Sequence, residues 1–285
     1  FIAGLIMTAL LQSSMATTLI VTGFAGQGMV NTSTGLAIIL GADVGTTLVA
    51  QALSFDISIA MPILMVLGYI FYSLEHNGKF KNVGRMMIGL TFMLMALAMI
   101  RQSAIPLKES ETLPLILEPL SKDPFFAVLL AALITWIAHS SLAIVLLVMS
   151  LVAGGVLPLT LALYMVLGAN MGGTIAPLIA TLRDNPDAMR IPLGNMLIRI
   201  IGVLAVVPFI EYALPYLNEW DPVHAKQVVD FHTAFNIFLA IVFLPFTGLL
   251  NKLMKKALPD RPVSDDPGRV RYLNDKALDI PSVAL

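Results

Sequence analysis

The chain has 285 residues, no cysteine and a formal net charge of −1. Apolar residues make up 58% and charged residues 12%, about half the charged share of a soluble domain. These values exclude a disulfide framework and thiol chemistry and give no nucleic-acid signature, and 285 residues cannot bury that much apolar surface in a soluble fold; an all-α polytopic membrane protein is expected.

Apolar segments run over 1–11, 15–25, 34–54, 57–74, 84–100, 125–138, 142–153, 159–182, 191–210 and 232–250. The chain opens inside the first of these on Phe1, not on Met, and so reads as a piece of a longer protein. Segments 1–11, 15–25, 125–138 and 142–153 are shorter than the ~20 residues that cross a bilayer. They form two pairs, split by Gln12-Ser13-Ser14 and by His139-Ser140-Ser141. Short interrupted pairs at matching places in two halves are a pointer to a transporter binding site.

The halves align without a gap. With Gln12 on His139, Thr8 falls on Thr135, Ser13 and Ser14 on Ser140 and Ser141, and Gly28 on Gly155. The segment GADVGTT (41–47) falls on GANMGGT (168–174). About a third of positions 8–47 are identical, against roughly 10–15% from membrane composition alone. The matches concentrate in glycines and polar residues, so a duplication is expected.

Segments 34–54, 57–74 and 84–100 separate the two triplets. An odd number of crossings between two re-entrant hairpins turns the halves over. The expected fold is therefore two inverted-topology repeats, each a re-entrant half-helix hairpin plus spanning helices. Residues 1–100 form the first repeat, 101–124 a periplasmic connecting loop, 125–250 the second repeat, and 251–285 a cytoplasmic linker. Loop charge sets the orientation. Loop 75–85 carries Lys79, Lys81 and Arg85, and the tail carries Lys252, Lys255, Lys256 and Arg261, whereas loops 101–124 and 211–230 are acidic. Positive segments stay in the cytoplasm, so hairpin one enters from that side and hairpin two from outside. Loop 183–190 is neutral and does not contribute.

Polar groups inside hydrocarbon need partners or a water-filled cavity. A helix starting after Ser14 presents unpaired N–H groups, and Ser is a favoured N-cap. Two such termini brought together make an anion cradle, to which Ser13, Ser14, Ser140 and Ser141 add hydroxyls. Gln12, Thr17, Thr18 and backbone carbonyls offer the oxygen ligands of a small hard cation. Together these suit an oxyanion moved with sodium. Packing between helices is the competing explanation for Ser and Thr.

An intramembrane carboxylate is costly and usually functional. Asp43 is a candidate sodium ligand, proton carrier or ion-pair partner of Arg199. Thr47, with Asn170 and Thr174 from the second copy, joins the candidate sodium ligands. Arg199 either meets the anion, meets Asp43 or locks packing. His232 and Asn236 share one helix face, and a His near a helix end is expected to be an interfacial hydrogen-bonder. His139 stands where the first copy has Gln12 and could bring pH sensitivity. Gly168 and Gly172 form a weak packing motif. The chain has no G-x-S-x-G, H-E-x-x-H, Walker A loop or Cys–His pair, and no enzyme is expected.

The motifs QSSMATT, HSSLA, GADVGTT and GANMGGT resemble the paired Q-S-S-S and G-A-N-x-G-T-T motifs of the type II sodium–phosphate cotransporters. The resemblance is closest to the bacterial branch, which carries a cytoplasmic PhoU-like domain, and RYLNDKALDIPSVAL resembles the lead-in to that domain. It covers nearly the whole chain. It implies a scaffold, a mobile transport core, and phosphate and sodium bound at Gln12, Ser13, Ser14, Thr17, Thr18, Ser140 and Ser141. Met15, His139, Leu142, Ile144 and Val145 depart from the pattern and leave fewer oxygen ligands in the second half. Asp43 stands where asparagine is common.

The expectation is sodium-coupled phosphate transport across the bacterial inner membrane, with a cytoplasmic tail and no cofactor beyond the coupling ion. Membrane lipid is an implied partner, and a homo-oligomer is compatible with the sequence. Rival readings are phosphate export, proton coupling, another oxyanion such as sulfate, and a membrane phosphate sensor.

Overall fold

A computed structural model describes residues 1–55, 60–74, 78–108, 110 and 112–260. The described residues are helical and contain no strand. The first half holds α1 (Ile2–Leu11), α2 (Ser14–Gly26), α3 (Thr32–Ser54), α4 (Ala60–Leu74) and α5 (Lys79–Lys108). Helix α6 (Thr112–Lys122) connects it to α7 (Pro124–Ala138), α8 (Ser141–Ala153), α9 (Leu159–Gly172) and α10 (Ile175–Ala180). Then come α11 (Pro186–Val206), α12 (Ile210–Trp220), α13 (His224–Phe243) and α14 (Thr247–Ala257). Pro208 and Pro245 interrupt the hydrogen-bond ladder between α11 and α12 and between α13 and α14, where 3₁₀ turns appear. Five helices or joined helix runs are long and apolar enough to cross a membrane. Large apolar side chains such as Ile2, Leu10, Met86, Phe92 and Ile137 are exposed, as lipid-facing positions are. The protein is a multi-pass membrane protein.

The short helices end for a local reason. Gln12 turns left-handed at φ 54° while its N–H still bonds Thr8 O, which closes α1. Ser13 then extends, and its Oγ accepts from Ala16 N–H at 3.2 Å to cap α2. His139 (φ 55°) and Ser140 repeat this, with Ser140 Oγ accepting from Ala143 N–H at 3.1 Å. Gln12 and His139 are the non-glycine residues with positive φ among the described residues. That conformation costs an L-residue about 1–2 kcal/mol, so surrounding packing must hold both tips.

Glycine supplies the packing. Helix α1 lies along α3, and α7 lies along α9. A Cβ on Gly41 would collide with Phe1 O, and one on Gly45 with Leu5 O. Gly168 meets Val128 O and Gly172 meets Ala132 O in the same way. Each of these contacts recurs at an offset of 127 residues. The Gly168–Gly172 motif, weak in sequence, is therefore a close backbone contact.

Long-range bonds sort the helix ends. At one end Asn185 Nδ2 donates to Gly26 O at 2.7 Å, and Ser33 Oγ bonds Thr247 Oγ1 at 3.1 Å. Arg190, fully buried, donates to Leu258 O at 2.6 and 2.9 Å, to Asp187 at 2.6 Å and to Asp260 at 2.5 Å. The hydrogen bond and charge of Arg190 hold the Asp260 carboxyl below the usual carboxylate range. At another end Gln51 Nε2 donates to Asp230 at 2.7 Å and to Thr233 at 3.1 Å. The start of α11 and residues 258–260 thus lie together.

Several expected boundaries change. Residues 79–85 begin α5 rather than forming a loop; Lys81 and Arg85 sit over the Tyr72 ring, 5.2 and 5.8 Å from its centroid. The 101–124 connection is mostly helix, because α5 continues to Lys108 and α6 packs Leu117 and Leu120 against the core. Helix α12 and the start of α13 occupy much of 211–230, and α14 reaches Ala257 inside the expected linker. Segment 159–182 breaks between α9 and α10 at Gly173-Thr174, whereas α3 runs unbroken through its copy of the motif. Residues 56–59, at the start of the expected 57–74 span, and 261–285, including RYLNDKALDIPSVAL, lie outside the described residues.

Candidate functional site

The two hairpin tips meet. Ser14 and Met15, at the start of α2, and Ser141, at the start of α8, line one cavity. Helix α3 contributes Asp43 and Thr46, α9 contributes Asn170, the α9–α10 break contributes Gly173 and Thr174, α11 contributes Asn195 and Arg199, and α13 contributes His232 and Asn236. Next to it a second space, lined by Gln12, Ser13, His139 and Ser140, shares Ser14, Thr46, Ser141 and Gly173 with the first. The inner cavity has about 10 Å³ open to a water centre, room for one water.

Arg199 organises the inner wall. Its Nη1 donates to Asn170 Oδ1 at 3.0 Å and to Asn236 Oδ1 at 2.7 Å. Its Nη2 forms an ion pair with Asp43 Oδ2. Asn236 Nδ2 also donates to Asn170 Oδ1 at 2.9 Å, and Asn170 Nδ2 to Val166 O at 2.8 Å. The side chains of Arg199 and Asp43 are 3% and 11% exposed. Charges this deep need partners, and four helices converge to supply them. Yet Arg199 Nε, Asn195 Oδ1 and His232 Nδ1 are buried with no hydrogen-bond partner among the described residues. Buried polar atoms are usually satisfied, so three orphans around one cavity mark a place for a polar ligand or water.

A model of the Na+/Pi-cotransporter family matches residues 1–102 and 106–219. The chain belongs to the Na+/Pi-cotransporter family. Both hairpins, Asp43 and Arg199 lie inside the match; His232 and Asn236 lie beyond it. Among curated proteins, the chain is 36% identical over its whole length to "Putative inorganic phosphate export protein YjbB" of Salmonella typhimurium and, at the same identity, to the protein of that name in Escherichia coli K12. It covers 52% of each, so the chain spans about half the length of these relatives. It is also 28% identical over 259 residues to "Uncharacterized protein YqeW" of Bacillus subtilis, covering 91% of this chain and 84% of that one. No solved structure matches.

Against the site expected for this family, the structure gathers some residues and sends others elsewhere. Ser14, Ser141, Thr18, Asp43, Asn170, Thr174 and Arg199 all face the inner cavity. Gln12, Ser13, His139 and Ser140 border the outer space, with Gln12 and His139 exposed. Thr17 is fully buried and bonds Thr8 Oγ1 at 2.8 Å, tying α2 to α1. Thr47 is fully buried too, and its hydroxyl donates to Val44 O at 2.8 Å. Neither lines either space. Asn170 Oδ1 accepts from Arg199 and Asn236. Asp43 and Arg199 are ion-pair partners, one of the alternatives open in the sequence.

Thr46, Asn195, His232 and Asn236 complete the wall. His232 is 1% exposed and lines the cavity, unlike the interfacial position expected. The apolar run suggested a helix starting at 232, but α13 starts at His224 and puts His232 two turns inside. Thr46 follows Asp43 by three residues, a same-face spacing that sequence could have weighed equally with Thr47.

Proposed function

We propose that this protein moves inorganic phosphate across the membrane together with sodium, by alternating access. The observation that carries this reading is the convergence of two serine-capped half-helix N-termini and Arg199 on one buried cavity. Helix N-termini attract anions through unpaired N–H groups and the dipole, and Arg binds phosphate by a planar fork. Family membership and the names of the relatives support phosphate as the substrate. Ser14 and Ser141 hold the anion with their hydroxyls, while Ser13 and Ser140 cap the helices that aim at it.

Sodium is a hard cation and takes oxygens. Thr46 and Thr174 donate their hydroxyl protons to Ala42 O at 3.1 Å and Met171 O at 2.7 Å, leaving lone pairs toward the cavity. With Thr18 and Asp43 they form the sodium ligands of this reading. The cavity has room for only one water as it stands, so phosphate enters when the hairpins part. A cleft of about 360 Å³ between the α1 tip and α5, lined by Leu10, Leu11, Val83, Met86 and Leu90, leaves hairpin one room to move.

In this account the halves are inverted repeats of a bacterial inner-membrane protein. The end carrying Arg190 and Lys252, Lys255 and Lys256 faces the cytoplasm. Direction follows the gradients; the relatives' names favour export as a second reading.

Ser14→Ala and Ser141→Ala test the site. Each is expected to raise the apparent KM for phosphate about tenfold, the loss of one hydrogen bond to a charged group, with the melting temperature unchanged. Ser13→Ala and Ser140→Ala remove caps and are expected to lower stability by about 1 kcal/mol each. Uptake by reconstituted variants with unaltered KM for both Ser14→Ala and Ser141→Ala would remove phosphate from this cavity.

A further inference from the structure

The cavity is not built of donors alone. An oxyanion meets Arg199, two serine hydroxyls and helix N–H groups, all of which bind any small oxyanion. Facing the same space are acceptors. Asp43 is a carboxylate. Asn195 is 5% exposed, and its Oδ1 has no partner among the described residues. Asn195 precedes Arg199 by four residues on α11, so both project to one side of the helix and reach the same ligand. His232 Nδ1 likewise has no partner among the described residues and is an acceptor in the tautomer protonated at Nε2.

Acceptors in an anion site repel an oxyanion that has only lone pairs to offer. They attract one that still carries a proton. Phosphate and arsenate are hydrogen-bearing anions at neutral pH, whereas sulfate has no proton. A site built to accept a substrate O–H rejects analogues that lack it far more steeply than a shape-based site can, because its buried acceptor is then left facing lone pairs.

We propose that Asn195 is the specificity residue of this cavity: its Oδ1 accepts the P–O–H proton and so selects hydrogen-bearing oxyanions against sulfate. The proposal rests on the phosphate reading and sharpens it. The donor half of the wall supplies affinity, and the acceptor half decides which tetrahedral anion stays.

The test is competition against radiolabelled phosphate on the reconstituted protein, with phosphate, arsenate and sulfate as competitors. In the unaltered protein arsenate is expected to compete within a few-fold of phosphate, and sulfate to be weaker by about 100-fold or more. Asn195→Leu is expected to weaken phosphate and narrow the phosphate-to-sulfate ratio about tenfold, the scale of one lost hydrogen bond. Asn195→Ala gives the same readout where the leucine variant does not fold. Sulfate competing as well as phosphate in the unaltered protein overturns the proposal and leaves oxyanion transport standing. So does an unchanged ratio in the variants, which is what a purely structural or sodium-binding Asn195 gives. Absence of any saturable phosphate binding removes the underlying reading and the proposal with it.

Discussion

Arg199→Leu is expected to abolish phosphate transport and to lower stability by about 3–5 kcal/mol, the range for stripping one partner from a buried ion pair. The cost has identifiable parts. Asp43 would keep a buried charge without its counter-ion, and Asn170 and Asn236 would lose the guanidinium that joins them. The double variant Asp43→Asn, Arg199→Leu separates structure from function. It removes both charges, so most of the lost stability is expected to return while transport does not. Thermal melting in detergent and phosphate uptake read the two effects independently. Transport restored in the double variant would assign the pair to packing alone and take Arg199 out of the anion site.

Gly168→Leu is expected to have a large effect by a different route. Any Cβ at Gly168 collides with the Val128 carbonyl oxygen and crowds Ala131. Backbone cannot turn aside as a flexible side chain does, so α7 and α9 must separate. Overpacking typically costs about 1–3 kcal/mol, occasionally more, and a leucine wedged between two backbones belongs at the upper end. Because α7 carries the His139 tip, the displacement also spoils the meeting of the hairpins. Gly41→Leu meets Phe1 O in the equivalent place and is expected to match it. Gly89 on α5 has nothing within 4 Å of an added Cβ, so Gly89→Leu is the control and is expected to retain the melting temperature. Equal melting temperatures for Gly168→Leu and Gly89→Leu would contradict the close-contact account.

The hairpin tips were legible in the sequence because Gln12-Ser13-Ser14 and His139-Ser140-Ser141 interrupt runs that are otherwise apolar. The glycine segments were legible as a repeat, although not as the backbone contact they make; that depends on which helix lies opposite. The fates of Thr17 and Thr47 were hidden for the same reason. A helical sequence fixes angular spacing, not which neighbour a face meets, and both hydroxyls turn to helix partners. Asp43 and Arg199 were each conspicuous as charges in apolar helices. Their pairing was one choice among several, and Asn170 and Asn236 as the arginine's acceptors come from helices 66 residues apart. His232 was misplaced because the polar residues His224, Lys226, Gln227 and Asp230 interrupt the apolar run at the start of α13, where the helix nevertheless begins. Helices such as α6 and α12 were read as loops because their charges outweighed the helical spacing of their leucines.

The central claim is that one cavity couples phosphate to sodium. The most direct measurement is radiolabelled phosphate movement in liposomes containing the reconstituted protein, under imposed sodium, potassium or proton gradients of equal size. The account predicts phosphate accumulation against its own gradient only when sodium flows down its gradient, with the effect lost in Arg199→Leu. Phosphate movement indifferent to sodium, or driven equally by protons, would contradict it.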